Sequence, residues 1–336
     1  MSRLAEWLYE QGIGENRAAL VDGGVLLEMA VERDDDRRPF VGAVLRARLT
    51  RKADESGRGL VTLDNGLAAQ IISAPTGLTE GAGLMVEVVR EALREGAETK
   101  HLRVRVAPAG AAPTEGPDLY ARITAGGLAV RKLDIGSDGL DEHGWSEALE
   151  QASNGVVTTP DVLLRISLTP AMTLIDVDGN GTASVVAISG ARAAGEAIRR
   201  FGISGSIGID LPTVVNKAER QAAAAALDAV LPQPFERTGV NGFGFLQIVR
   251  RRERASLVER LADDPLRTAA LALLRRGERA QGQGELALHG HPALIDRITA
   301  RPDWIAELQR RTGAVVALRP DQRLAISAAH ASRLHP

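Results

Sequence analysis

The sequence predicts a mixed α/β chain of several domains. The parts are an α/β sheet bearing a candidate catalytic site, a small inserted β-barrel, and a small C-terminal α/β domain. Three observations predict this. Two apolar runs, Met172–Gly181 and Gly205–Pro212, each carry an aspartate and flank one helical pattern, Gly190–Arg200. Five short apolar runs recur at regular spacing between residues 37 and 108. From 263 onward, helical and strand patterns alternate. The 336 residues suit about two or three domains, and 44% hydrophobic residues supply their cores.

Taken in order, residues 1–36 read as a helical turn or two and then a hairpin. Its strands, Ala18–Asp22 and Val25–Val31, are joined through Asp22-Gly23-Gly24, a tight-turn signal. Asp34, Asp35 and Asp36 read as a solvated linker. Residues 37–108 carry strands at Val41–Arg48, Gly59–Asp64, Leu67–Ile72, Leu84–Val89 and Leu102–Val106. Five short strands in so few residues suit a closed barrel of the OB type. Residues 107–117, rich in Ala, Pro and Gly, read as a linker. Residues 118–160 hold two or three more strands and a short amphipathic helix near Trp145–Ala152.

Residues 161–262 hold the aspartate-bearing sheet. A strand–helix–strand crossover of this length makes the two strands parallel and the connection right-handed. A long Ala-rich helix, Val215–Val230, follows, and then a buried strand, Phe243–Val249. Residues 263–336 read as helices at Pro265–Arg279, Pro292–Thr299 and Ile305–Thr312, with strands at Glu285–His289, Val315–Leu318 and Leu324–Ile326.

Composition narrows the function. Lys plus Arg is 41 against 43 Asp plus Glu, a formal charge of −2, so no global field steers nucleic acid. Aromatics are only 3%, which leaves few residues for base stacking. The absence of cysteine excludes disulfides and thiolate zinc sites. The N-terminus lacks the apolar core of a signal peptide, and no apolar run nears the roughly 18 residues that span a bilayer. A soluble, cytoplasmic protein without membrane contact is the expectation.

The two aspartates carry the chemistry. Asp176 and Asp210 each directly follow an apolar strand, where a carboxylate is costly unless paired or bound to metal. Carboxylates at the carboxyl ends of neighbouring strands offer a hard-oxygen site for Mg²⁺, with Mn²⁺ as an alternative. Asp176–Gly181 matches the first half of a calcium-binding EF-hand loop. It fails in the second half, because the position that needs a bidentate glutamate is Ala187. Lys217 and Arg220, in the helix after Asp210, would hold a phosphate or pair with Glu219 and Asp228. Arg250, opening the basic run Arg250–Arg254, is a further phosphate candidate. In the barrel stretch the cations are Arg46, Arg48, Arg51, Lys52, Arg58, Lys100, Arg103 and Arg105. His289 and His291 read as surface residues; the other histidines form no constellation.

The ordered set of segments resembles the bacterial ribonuclease E/G family. Arg17–Glu28 resembles its opening hairpin, and Leu174–Gly179 its first catalytic motif. Ala193–Arg200 resembles the helix that follows, Ile207–Asp210 the second catalytic motif, and Gly242–Arg250 the next strand. The resemblance implies a five-part division. Residues 1–36 would be the N-terminal hairpin of an RNase H-like part. Residues 37–108 would be an OB-type RNA-binding barrel, and 109–160 a shortened remnant of the RNase H-like and 5′-sensor region. Residues 161–262 would be a DNase I-like catalytic domain, and 263–336 the small C-terminal domain.

The implied activity is Mg²⁺-dependent endonucleolytic cleavage of single-stranded RNA to 5′-phosphate and 3′-hydroxyl ends. Asp176 and Asp210 would hold the metal and Asp178, where the family has Asn, would support it. Lys217, Arg220, Arg250, Lys100, Arg46 and Arg48 would contact RNA. A homodimer through the small domain is implied, without zinc, because the family's zinc-sharing cysteines are absent. The shortened middle implies loss of the 5′-monophosphate pocket. The stretch Val61–Ile72 lacks the barrel's RNA-stacking aromatics. These two departures frame the alternative, a non-catalytic RNA-binding relative.

Overall fold

A computed structural model describes residues 5–34, 39–95, 98–134 and 136–335. Asp35 and Asp36 of the expected linker lie outside them. The first element is not a helix. Residues Glu6–Gln11 form strand β1, followed by β2 (Glu15–Asp22) and β3 (Val25–Arg33). β1 pairs on both sides, so ladder bonds and the burial of Leu8, Tyr9 and Glu10 override its helical pattern. The expected β2–β3 turn is present. Gly23 and Gly24 take φ of 56° and 90°, the left-handed pair that a two-residue hairpin requires.

The barrel is made by β4 (Val44–Arg51), β5 (Gly59–Leu63), β6 (Ala68–Ile71), β7 (Gly83–Arg90) and β10 (Leu102–Val106). A small hairpin, β8 (Leu93–Glu95) and β9 (Glu98–Lys100), lies between β7 and β10. All five barrel strands overlap the runs expected from the sequence. Their order is β10-β6-β5-β4-β7, closed by β7 on β10. β10 and β6 are parallel; every other neighbouring pair is antiparallel. Period-2 alternation fills the interior with Ala47, Leu49, Val61, Leu63, Ala69, Ile71, Val86, Val88 and Val104.

Next come α1 (Leu119–Ala125), β11 (Ala129–Lys132), a 3₁₀ turn (Asp141–His143) and α2 (Trp145–Asn154). β11 pairs parallel with β1, so the N-terminal sheet runs β11-β1-β2-β3. A six-stranded sheet follows, in the order β12-β13-β14-β15-β17-β16. Its elements are β12 (Val156–Thr158), β13 (Val162–Leu168), β14 (Thr173–Gly179), α3 (Ala183–Arg200), β15 (Gly205–Asp210), α4 (Lys217–Asp228), β16 (Glu236–Arg237) and β17 (Phe245–Arg250). β14 and β15 are parallel across α3, as expected. The last elements are α5 (Leu257–Asp263), α6 (Pro265–Arg279), β18 (Gln283–Gly290), α7 (Pro292–Thr299), α8 (Pro302–Thr312), β19 (Val316–Pro320), a 3₁₀ turn (Ile326–Ala328) and β20 (His330–His335).

The boundaries of α6 and α7 agree with expectation because Pro at the first turn marks each start. α8 begins earlier than expected, again at a proline. The strand expected at Leu324–Ile326 is displaced: Ile326 enters the 3₁₀ turn and β20 pairs antiparallel with β18 instead. That pairing stacks His330 on His289, ring centroids 4.7 Å apart, so His330 is not isolated. His291 caps α7, its Nδ1 accepting from the Ala293 N–H at 3.2 Å.

The chain forms two compact units: residues 1–35, 126–153 and 257–336 in the first, and 36–125 and 154–256 in the second. The second therefore holds both the barrel and the six-stranded sheet. The first unit contains a network of buried charges. Arg17 bonds Glu10, Arg275 bonds Glu15, and Arg311 lies 2.6 Å from Glu278. Arg17 also sits 5.6 Å over the Trp145 ring. Burial, with the charge of Arg275, pulls Arg17 down to about 10. No helix among the described residues is long and apolar enough to cross a membrane.

Candidate functional site: two aspartates in register

One face of the six-stranded sheet is closed by helices. Leu164, Ile166, Ile175, Val177, Ile207, Ile209, Leu246 and Ile248 point to that side and are buried. α3 packs on β13 and β14, with Ala191, Ala194 and Ile198 buried, and α4 packs against α3, with Ala223 and Leu227 buried. The seating of α3 depends on a small residue: a Cβ at Gly190 would stand 2.3 Å from Val177 Cγ1. The opposite face carries the alternate residues. These are Arg165 on β13, Leu174, Asp176 and Asp178 on β14, Gly208 and Asp210 on β15, and Phe245 and Gln247 on β17.

The register places Asp176 directly beside Asp210 on parallel neighbours, a strand spacing of about 4.8 Å. Asp210 ends β15, whereas β14 runs on to Gly179. Asp176 thus lies on the sheet face rather than at a strand end. Both carboxylates on β14 are solvated, Asp176 54% and Asp178 60% exposed. Burial cost therefore does not explain them, contrary to the sequence argument. Their partner is Arg165, which the sequence reading did not single out. Arg165 is in register with Asp176, reaches it at 3.3 Å, and bonds Asp178. The Asp178 hydrogen bond and charge hold the Arg165 pKa above its ordinary value. The signal in the sequence was alternation: Arg165 stands between Leu164 and Ile166, both buried, so it must face the aspartate side.

The donor set is oxygen-only, and Mg²⁺ commonly binds through one or two carboxylates while keeping several waters. Asp176 and Asp210 fit that demand as a pair. Among the described residues no group of three acidic, histidine or cysteine side chains stands close enough to enclose a metal ion. Asp178 is committed to Arg165 rather than joined to the pair.

The candidate RNA contacts divide. Lys217 is exposed at the start of α4, just after the loop that follows Asp210. Arg220 instead donates to the carbonyls of Val214 and Val215 at 2.8 and 2.6 Å, fixing that loop. Asp228 pairs with Arg237, not with Lys217 or Arg220. That hydrogen bond holds the Asp228 carboxyl below the usual range. Arg250 lies at the far end of β17, in register with Gly205, and donates to Ile203 O at 2.9 Å. Five residues of strand, about 16 Å, separate it from Asp210. In the barrel, Arg46 and Arg48 share the outer face of β4, and Arg48 donates to Gly81 O at 2.9 Å. Lys100 is exposed on β9.

The loop from β16 to β17 is locked against the end of β15. Leu211 N donates to Gly244 O at 3.1 Å, and Thr213 Oγ1 donates to Phe243 O at 3.3 Å. Gly244 has φ of 92°, and a Cβ there would stand 2.0 Å from Leu211 O. Gly244→Ala is therefore expected to destabilise the protein by about 3 kcal/mol, through left-handed strain and overpacking. Urea unfolding checks this; an unchanged midpoint would show that the loop relaxes freely. No family model matches the chain, and no curated protein matches it.

Proposed function

We propose that the chain is a Mg²⁺-dependent endoribonuclease that cleaves single-stranded RNA to 5′-phosphate and 3′-hydroxyl ends, related to the ribonuclease E/G family. The observation that carries this reading is the in-register pair Asp176 and Asp210 on an open sheet face. A second, independent feature supports it. The strand order of the barrel, with one parallel pair between its third and fifth strands, is that expected of an OB-type module, a frequent oligonucleotide binder. The five-part domain division implied by the resemblance belongs to this reading.

A bound Mg²⁺ supplies Lewis acidity at a phosphoryl oxygen and a water of lowered pKa. The chain's residues have three tasks. Asp176 and Asp210 would hold the ion from adjacent strands. Arg165 orients Asp176 and keeps Asp178 in place. Lys217 draws the RNA backbone toward the loop after Asp210. In the overall step, water adds to phosphorus, the bond to the 3′ oxygen breaks, and that oxygen takes a proton. In this reading Arg46, Arg48 and Lys100 extend the RNA path along the barrel, and Arg250, distant from the carboxylates, holds Ile203 rather than phosphate. A homodimer through the small domain remains part of the proposal.

The competing reading, a non-catalytic RNA-binding relative, is favoured by one observation: Arg165 already neutralises part of the acidic cluster. The two separate experimentally. The nuclease reading expects labelled, unstructured AU-rich RNA to be cut internally in Mg²⁺, and Asp176→Asn to bind that RNA without cutting it. Tight binding that ignores Mg²⁺, with no cut by the wild type, would support the binder instead.

A further inference from the structure

All ten aromatic residues of the chain lie among the described residues, and of these one is exposed to solvent. It is Phe243, 84% exposed, in the loop locked to the end of β15. An apolar ring of this size in water costs free energy unless something covers it. Its setting is rigid. Asn241 Oδ1 accepts from the backbone N–H of Phe243 at 2.9 Å and of Phe245 at 3.0 Å, and Gly244 N donates to Asn241 O at 3.2 Å. The loop thus holds Phe243 outward with most of its local bonds satisfied. The segment after Asp210 presents Val215, 90% exposed, on a turn braced by Arg220. Thr213 joins the two loops. Lys217 follows Val215 by two residues. An exposed ring, an exposed apolar side chain and a cation thus stand on two joined segments that follow and flank the end of the strand carrying Asp210.

We propose that Phe243 is a base-stacking platform, with Val215 as a second apolar wall, that positions an unpaired nucleobase so that its neighbouring phosphate lies at the Asp176 and Asp210 site. This rests on the reading of that site as a nuclease for single-stranded RNA. Stacking on an aromatic ring is sequence-tolerant and demands an unpaired base, because a base within a duplex has no free face to offer. Phe243 would therefore select single strands at the cutting site itself, where the barrel face Val61–Ile72 offers no aromatic residue. It is a positioning residue: it touches the base and not the reacting phosphate.

The test is steady-state cleavage of an unstructured RNA by the wild type, Phe243→Ala and Phe243→Trp. It is joined to equilibrium binding of the same RNA and of a copy lacking its bases. Phe243→Ala is expected to raise KM about 10-fold, with kcat within about twofold, and Phe243→Trp to restore KM. Wild type and Phe243→Ala should bind the baseless copy equally. Cleavage by the wild type with KM unchanged in Phe243→Ala overturns the stacking role and leaves the nuclease standing. Binding without cleavage, weakened about 10-fold in Phe243→Ala, supports stacking and overturns the nuclease. A wild type that neither binds nor cuts overturns both.

Discussion

Asp210→Asn is expected to lower RNA cleavage by about 1000-fold or more, the effect of losing several kcal/mol of metal-derived stabilisation. The change keeps size and hydrogen-bonding shape but removes the charge. Asp210 is the clearest target because no side chain among the described residues bonds its carboxylate, whereas Asp176 is bonded by Arg165. Asp176 shares Arg165 with Asp178, so its loss also disturbs that ion pair. Ile209 and Leu211 on either side are buried and unaffected by the substitution, so the thermal midpoint should stay within a degree or two. The assay is cleavage of labelled RNA alongside thermal unfolding. Full activity in the folded variant would remove Asp210 from the mechanism.

Arg275→Met is expected to destabilise the first unit by about 3–5 kcal/mol. Arg275 and Glu15 are both buried and bonded to each other. With Arg275 gone, the next cation to Glu15 is Arg33, whose Nε stands 4.0 Å away. A buried carboxylate would then lose its main partner, and that desolvation penalty falls on the folded state alone. For a unit of this size the midpoint should drop by about 10 °C. The double variant Glu15→Leu with Arg275→Met should recover most of the loss, because the carboxylate and the guanidinium bonded to it leave together. Circular dichroism melts of the three proteins decide it. Equal melting of wild type and Arg275→Met would show that the pair contributes nothing.

Much of the secondary structure was legible because local chemistry and tertiary context agree. Proline marks the starts of α6 and α7, Gly23-Gly24 sets the first hairpin, and period-2 alternation sets the barrel strands. The parallel pairing of β14 and β15 followed from the length of the crossover. Legibility failed where distant partners decide. β1 is a strand because β2 and β11 bracket it, and β20 exists because β18 offers an edge. Nothing in the linear pattern marks Glu10, Glu15, Arg17 and Arg275 for burial; only the fold buries them together. At the site, the neighbouring parallel strands of Asp176 and Asp210 were accessible from the pattern, but Asp176 lies on the sheet face rather than at a strand end. Arg165 was missed because alternation shows only which side of β13 it faces, whereas its pairing with Asp176 is set by the cross-strand register. Arg250 looked close to the aspartates because it shares their sheet, but antiparallel pairing carries it to the far end.

The central claim is most directly tested by the chemistry of the product ends. The wild type would be incubated with an internally labelled, unstructured RNA in Mg²⁺, in Mn²⁺ and in chelator, and the ends of any fragments mapped. The account predicts internal cuts in either metal, each leaving a 5′-phosphate and a 3′-hydroxyl, and none in chelator. Fragments ending in cyclic phosphates, cuts that persist in chelator, or no cuts in either metal would contradict it.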